Sequence, residues 1–343
     1  MTVEETFFAE WAGRGPGQRR SLGRARLLGE ALGIMDTGLP VLTVVGSKGK
    51  GTIATYASAC LAAAGLTVCT VTSPGLRSHR ERIRINGRAI SEPLLERLSG
   101  RLHDEIAKLA EPHDGYLSPA GLFTLAGVLH ARACEADVIV LEAGMGGRSD
   151  EVSLFPPTVL AIGPVFAEHT GVLGDTPAAI AAEKAGVVAA GTQAVLTVPQ
   201  PDKIMEVIGR TVARRADLSL GLETVAAAGI PDSLLPSGLN RVNARLGCAA
   251  AQRLLTVCEL APAPGALLAE VLRSVRLPGR LSWHRLAEGE LLVDSAINQH
   301  GVAAALTAAR SRWGSVDHVL ACFPDHKDLD GAITELAGLP VTF

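Results

Sequence analysis

Residues 41–52 read Val41-Leu-Thr-Val-Val-Gly46-Ser47-Lys48-Gly49-Lys50-Gly51-Thr52, and a run of small residues follows to position 64. An apolar, β-branched run thus enters a glycine-punctuated loop that carries a lysine and a hydroxyl, and a helix-forming stretch leaves it. Glycines let backbone N–H groups wrap an anion, a lysine meets the terminal phosphates, and a threonine hydroxyl reaches Mg²⁺. Gly46, Ser47, Gly49, Lys50, Gly51 and Thr52 are therefore the candidate residues for a nucleoside triphosphate. The competing account is a tight β–α turn with an incidental lysine. The strand before the loop and the helix after it favour the phosphate reading.

Further loops offer the groups such a site needs. Glu142 closes the apolar run Asp137-Val-Ile-Val-Leu and is followed by Ala-Gly-Met-Gly-Gly-Arg-Ser-Asp150. A carboxylate at the C-terminal end of a parallel strand sits where open α/β sheets bind ligands, and hard Mg²⁺ prefers oxygen donors. The competing role is a strand-end acid that caps a neighbouring helix. His169 follows another strand-like run (158–165), and on chemistry alone it is as readily structural as functional. Ser73, in Thr72-Ser73-Pro74, follows the run 67–72 and offers a hydroxyl to a second metal ion. Lys184 lies in the apolar stretch Ala-Ala-Glu-Lys-Ala-Gly, where a solvated Glu–Lys face is the plain reading.

The elements that must position these residues follow from periodicity. Residues 18–35 read as an amphipathic helix, 41–45 as a strand and 52–64 as a helix. Strands are expected at 67–72, 137–142, 158–162 and 193–198, and helices at 93–110, 119–134 and 176–185. The last has Thr or Asp as its N-cap and Pro177 at its first position. Continuous apolar strands alternating with helices indicate an α/β P-loop domain, with a mostly parallel sheet flanked by helices. Residues 216–238 could hold short strands, and 239–258 and 263–275 read as helices. Leu277-Pro-Gly-Arg280 breaks the pattern. A strand at 290–294, a helix at 301–311, a strand at 317–322 and a helix at 328–337 then make a second, smaller, Rossmann-like α/β domain. The expected domains are 1–276 and 277–343, the second short.

Composition narrows the class. The 343 residues are 48% hydrophobic with a formal charge of -3, which does not suit bulk nucleic-acid or membrane binding. Six cysteines are scattered without a CxxC pair, which fits a reducing cytoplasm rather than a disulfide framework or zinc knuckle. The acidic start lacks the apolar core of a signal peptide, and no run reaches the length of a membrane span. A cytoplasmic protein is expected.

The ordered motifs resemble one family, the folylpolyglutamate synthase/dihydrofolate synthase branch of the Mur-type ATP-dependent amide ligases. The resemblance runs from about Leu22 to Asp328. Its Gly-Thr-Asn-Gly-Lys-Gly-Ser loop is matched by Gly46–Thr52, and its Thr-Ser-Pro-His-Leu by Thr72-Ser-Pro-Gly-Leu76, with Glu81-Arg-Ile83 and Asn86-Gly87 after it. Its Glu-x-Gly-x-Gly-Gly-Arg-x-Asp is matched by Glu142–Asp150. Its Asp-His-x-x-x-Leu-Gly and Glu-Lys-Ala-Gly are matched by Glu168–Gly174 and Glu183–Gly186. Asn243, the Pro-Gly-Arg ending at Arg280, Asp294-Ser-Ala-Ile-Asn298 and Lys327-Asp328 complete the order.

The resemblance implies a role for each residue. Lys50 holds the β- and γ-phosphates. Thr52 and Glu142 bind one Mg²⁺, and Ser73, Glu142 and His169 bind a second. Lys184 is carbamylated and positions metal and acyl group. Asn243 meets adenine, Arg280 the phosphates and Asp294 the ribose. It further implies an ATP-dependent ligase that converts a carboxylate to an acyl phosphate and then to an amide, adding an amino acid such as glutamate to a folate or another small carboxylate. Lys50, His169 and Lys184 are the expected catalytic residues. The departures fall mostly near the acceptor: Gly75 and Ile297 replace histidines, Glu168 an Asp, Ser153 an Asn, and Ala120-Gly121 a Phe-Glu pair near the pterin site. With aromatic residues at 3%, few rings remain to stack a pterin. The alternatives are a degenerate nucleotide-binding partner subunit without ligase activity, and a P-loop ATPase or GTPase switch. The short second domain leaves room for a homo-oligomer or a partner that completes it.

Overall fold

The computed structural model describes residues 2–110, 115–216, 221–225, 229–236, 238–323 and 328–343. Lys327 of the sequence reading lies outside the described residues. The chain divides into two compact units, Met1–Leu235 with Val242–Val275, and Pro236–Arg241 with Arg276–Phe343.

The first unit opens with two short helices, α1 (Val3–Phe7) and α2 (Ala9–Ala12), and then α3 (Leu22–Ala31). Strand β1 (Val41–Val45) leads into α4 (Lys50–Ala63), β2 (Val68–Val71), a hairpin of β3 (Ile83–Ile85) and β4 (Arg88–Ala89), α5 (Glu92–Ile106) and α6 (Pro119–Ala133). There follow β5 (Val138–Glu142), β6 (Val159–Ile162), α7 (Pro177–Ala185), β7 (Ala194–Thr197), α8 (Asp202–Arg215), β8 (Leu222–Thr224), α9 (Leu239–Val257, in this unit from Val242 onward) and α10 (Gly265–Ser274). The eight strands form one sheet in the order β4-β3-β2-β5-β1-β6-β7-β8. Neighbours from β2 to β8 are parallel, and β3 and β4 are antiparallel at one edge.

Every residue of β1 and β5 is buried, Thr43 and Glu142 included, and their largely apolar sequences suit strands covered on both faces. The chain leaves β1 toward β2, returns to β5 and only then crosses to β6, so β1 lies where the strand order turns. Ligands of open α/β sheets bind outside the carboxyl ends of strands at such a point. Helix α7 starts at Pro177, and its N-cap is Thr176, whose hydroxyl accepts from Ala179 N–H. Helix α8, absent from the sequence reading, buries Ile204, Ile208 and Val212 along one face.

The second unit contains the antiparallel hairpin β9 (Ser282–Leu286) and β10 (Gly289–Val293), helix α11 (Gln299–Trp313), and a β–α–β unit of β11 (Val319–Leu320), α12 (Leu329–Leu336) and β12 (Val341–Thr342). Val302 and Leu306 of α11 and Ala332 and Leu336 of α12 form its small core. Glu290 of β10 accepts from the Trp313 indole at 2.9 Å and pairs with Arg312, fixing α11 to the hairpin. No helix among the described residues is long and apolar enough to cross a membrane.

Candidate active site at the carboxyl ends of the parallel strands

The loop after β1 is held from both sides. Ser47 N–H donates to Pro164 O at 2.8 Å, and its hydroxyl exchanges hydrogen bonds of 3.1 Å with the carbonyl and N–H of Phe166. The loop after β6 therefore braces the loop after β1. Helix α4 starts at Lys50, two residues earlier than its apolar pattern suggests, because Gly49 acts as its N-cap with φ of 82°. A side chain there would meet strain, and a Cβ would lie 2.0 Å from Nδ2 of Asn243. Asn243 of α9, 4% exposed, thus lies directly against the first turn of α4. Gly51 and Thr52 fall in that turn, both buried, where helix N–H groups and dipole favour an anion.

Two lysines converge on this loop. The Lys50 ammonium donates to Gly46 O at 3.0 Å, and the Lys184 ammonium donates to the same carbonyl at 3.0 Å. Lys184 is only 1% exposed, so the solvated Glu–Lys face expected from its sequence is not what forms. Glu168 reaches its Nζ at 2.7 Å. Burial and the neighbouring Lys50 charge push the Lys184 ammonium below the usual lysine range, and Glu168 opposes that shift. The preceding residue explains how α7 holds this position. Glu183 accepts from Ser149 N–H and Ser149 Oγ at 2.7 and 2.5 Å and pairs with Arg148 at 3.3 Å. The glycine-rich loop after β5 is thereby laid onto α7. A Cβ at Gly147 would stand 2.5 Å from Lys184 O, so the approach needs glycine.

Glu142 ends β5, between β2 and β1, and is 5% exposed. Its Oε2 accepts Ser73 N–H at 3.0 Å, which joins the ends of β5 and β2. Arg82 donates to Ser73 Oγ at 3.0 Å. Thr52, Ser73 and Glu142 together offer oxygen donors, a set that suits a hard divalent cation such as Mg²⁺. Among the described residues no three His, Cys, Asp or Glu side chains come together as a metal cluster. His169 is exposed on the loop after β6, with φ of 46°, and its carbonyl accepts from Val172 and Leu173 N–H at 3.0 Å each.

In the second unit, Asp294 Oδ2 accepts Leu281 N–H at 2.7 Å, and Ser295 N–H donates to Gly279 O at 2.8 Å. Asp294 is thus tied to the turn that carries Arg280.

One charged cluster escaped the sequence reading. Arg20 pairs with Asp150 at 2.8 Å and Glu151 at 3.3 Å, and it also donates to Met145 O. Ser118 donates to Glu151 at 2.7 Å. The Glu151 carboxyl fills the space beside Gly121, where a Cβ would lie 2.2 Å from its Cδ. Burial and the Asp150 charge push the Glu151 carboxyl up to about 7, against the pull of Arg20. The missing side chain at Gly121 was the only sequence signal for this arrangement.

A Gly-Lys-Gly-Thr loop at the central strand of a parallel sheet, with a carboxylate ending the next strand, defines a P-loop α/β domain. The fold is that of the folylpolyglutamate synthases: the apo form of L. casei FPGS superposes with a TM-score of 0.85 at 22% identity, covering 99% of this chain and 87% of that one. A Mycobacterium tuberculosis folylpolyglutamate synthase complexed with ADP and AMPPCP matches with a TM-score of 0.79 at 26% identity, covering 94% of this chain and 78% of that one. In sequence, a dihydrofolate synthase/folylpolyglutamate synthase of Bacillus subtilis is 31% identical over 201 residues, which is 58% of this chain and 46% of that protein. No family model matches the chain. The chain is similar in sequence to part of folylpolyglutamate and dihydrofolate synthases, and it spans about half the length, or less, of the curated relatives it matches.

Proposed function

We propose that the protein is an ATP-dependent carboxylate–amine ligase that makes an amide through an acyl phosphate, adding an amino acid such as glutamate to a folate or another small carboxylate. The observation that carries this reading is the convergence of Lys50 and Lys184 on Gly46 O, beside the Ser73–Glu142 pair. A carboxylate is a poor acyl donor at neutral pH. Transfer of the γ-phosphoryl group to one carboxylate oxygen gives an acyl phosphate and ADP. The amine of the amino acid then attacks the acyl carbon, the C–O bond to phosphate breaks, and the ammonium proton is lost as the amide forms.

Residues of this chain have definite work in those steps. The N–H groups of the loop and of the α4 first turn bind the phosphates, and Lys50 neutralises charge that develops on the transferred group. Asn243 orients the base beside Gly49. Arg280 and Asp294 take the phosphate and ribose roles that the resemblance implies. Thr52, Ser73, Glu142 and His169 are the residues that would hold Mg²⁺, which supplies charge neutralisation on the polyphosphate. Lys184 is the site of carbamylation: a neutral amine adds to CO₂ and releases a proton, which a depressed ammonium favours and the Glu168 pair resists. We place the activity in the cytoplasm, a reading that six free cysteines support.

The signature of an acyl phosphate is oxygen transfer. With an ¹⁸O-labelled carboxylate substrate, one ¹⁸O atom should appear in released phosphate for each amide formed. Amide formation with unlabelled phosphate would rule the mechanism out.

A further inference from the structure

Arg82 is a buried cation that the proposed reaction does not use. The residue is 8% exposed. One guanidinium N–H donates to Ser73 Oγ at 3.0 Å, while Nε, fully buried, has no hydrogen-bond partner. The guanidinium carbon lies 4.7 Å from the ring centroid of Phe123, which is itself stacked on Phe7 at 4.1 Å. Burying a guanidinium with an idle N–H is costly unless nearby charge compensates. The compensating anion is Glu142, the carboxylate that accepts Ser73 N–H. Cation, hydroxyl and carboxylate therefore form one connected group at the ends of β2 and β5.

We propose that Arg82 is a positioning residue that acts as the built-in counter-cation of Glu142, so that a divalent ion enters the Ser73–Glu142 side only together with a polyphosphate. The inference rests on reading Ser73 and Glu142 as metal-side residues. Two effects oppose each other. The hydrogen bond from Arg82 orients Ser73 Oγ, which favours an arriving cation. The guanidinium charge repels that cation across a poorly screened interior. Repulsion between a single and a double charge at close range outweighs one charge-assisted hydrogen bond, so the charge effect wins. A bound polyphosphate supplies negative charge that offsets Arg82, and the penalty then fades.

Mn²⁺ binding followed by electron paramagnetic resonance tests this, with and without a non-hydrolysable ATP analogue, on the wild type, Arg82→Met and Arg82→Lys. Nucleotide-free Mn²⁺ should bind Arg82→Met at least about tenfold more tightly than the wild type, and Arg82→Lys about as the wild type does. With the analogue present, the three affinities should converge to within about threefold. Equal or weaker nucleotide-free binding by Arg82→Met overturns the inference, as does Arg82→Lys behaving like Arg82→Met. Arg82→Gln serves as the neutral variant if circular dichroism shows that the methionine variant does not fold. Mn²⁺ bound with the analogue, together with nucleotide-free binding that is indifferent to Arg82, sinks this inference alone. Mn²⁺ absent from every protein even with the analogue sinks it together with the metal reading.

Discussion

Lys50 and Lys184 share one acceptor: each places its ammonium 3.0 Å from the carbonyl oxygen of Gly46. Lys50 opens α4 and is partly exposed, whereas Lys184 near the end of α7 is 1% exposed and paired with Glu168. Like charges held on one carbonyl repel, and an anion bound in the loop would relieve that repulsion. The pair is thus arranged for a ligand of high negative charge.

The two lysines should separate in mutation. Lys50→Ala should slow carboxylate-dependent phosphate release by about 10²- to 10³-fold, the usual effect of deleting one donor to developing charge. Its melting temperature should hardly move, since a partly exposed lysine with one hydrogen bond contributes about 1 kcal/mol or less. Lys184→Met should lose both activity and stability, because Glu168 loses its buried partner. Rates and thermal melts of both variants check this. A Lys50→Ala protein that is active but much less stable would reverse the assignment.

The proposed carbamylation of Lys184 has a direct readout. Protein equilibrated with ¹³C-bicarbonate should show a carbamate carbon resonance that disappears in Lys184→Met. Activity lost on removing CO₂ should return with added bicarbonate. Full activity without CO₂ and no carbamate signal would leave Lys184 acting as an ammonium.

Gly147 lies against the backbone of α7, so Gly147→Ala should cost about 1–3 kcal/mol, because its Cβ meets a carbonyl oxygen and a Cα rather than a flexible side chain. The rate should fall as well, through displacement of Lys184. Gly191→Ala, where a Cβ meets nothing within 4 Å, should change neither. Chemical denaturation and activity assays of the two variants make the comparison.

The raised carboxyl of Glu151 gives a pH dependence of known sign. Its value moves from the ordinary 4.5 up to about 7 on folding, so between these limits the folded state binds more protons than the unfolded state. Stability from this group is fully present below about pH 4.5 and is lost as pH rises through about 7. Glu151→Gln should flatten that part of the stability–pH curve in urea titrations from pH 5 to 8. An unchanged slope would show that another group carries it.

Much of this was legible in the chain because particular residues leave little choice. The short, largely apolar runs ending at Val45 and Glu142, rich in β-branched residues, suit strands buried on both faces, and they form adjacent strands of the parallel sheet. Gly49 and Lys50 marked the turn from β1 into α4, although the start of α4 at Lys50 needed the Gly49 cap to be seen. Helix α8 was missed although Ile204, Ile208 and Val212 stand at helical spacing, with charged residues such as Asp202, Lys203, Glu206 and Arg210 on its other positions. Strand β9 was missed because Trp283-His-Arg285 has no alternation of apolar and polar residues, and its place is set by pairing with β10. The Arg20–Asp150–Glu151 cluster was out of reach for a different reason. Its partners are distant in sequence, and only the empty space at Gly121 shows where the Glu151 carboxyl must go.

The central claim is that this protein uses ATP to activate a carboxylate. The direct measurement is phosphate release and amide formation with Mg·ATP, L-glutamate and a panel of carboxylates that includes dihydropteroate and tetrahydrofolate. The expected result is phosphate release that requires one carboxylate, matches amide in amount and is lost in Lys50→Ala. Release with non-folate acids alone would keep the ligase and discard the folate. Phosphate release independent of every carboxylate, or none at all while ATP binds, would contradict the account.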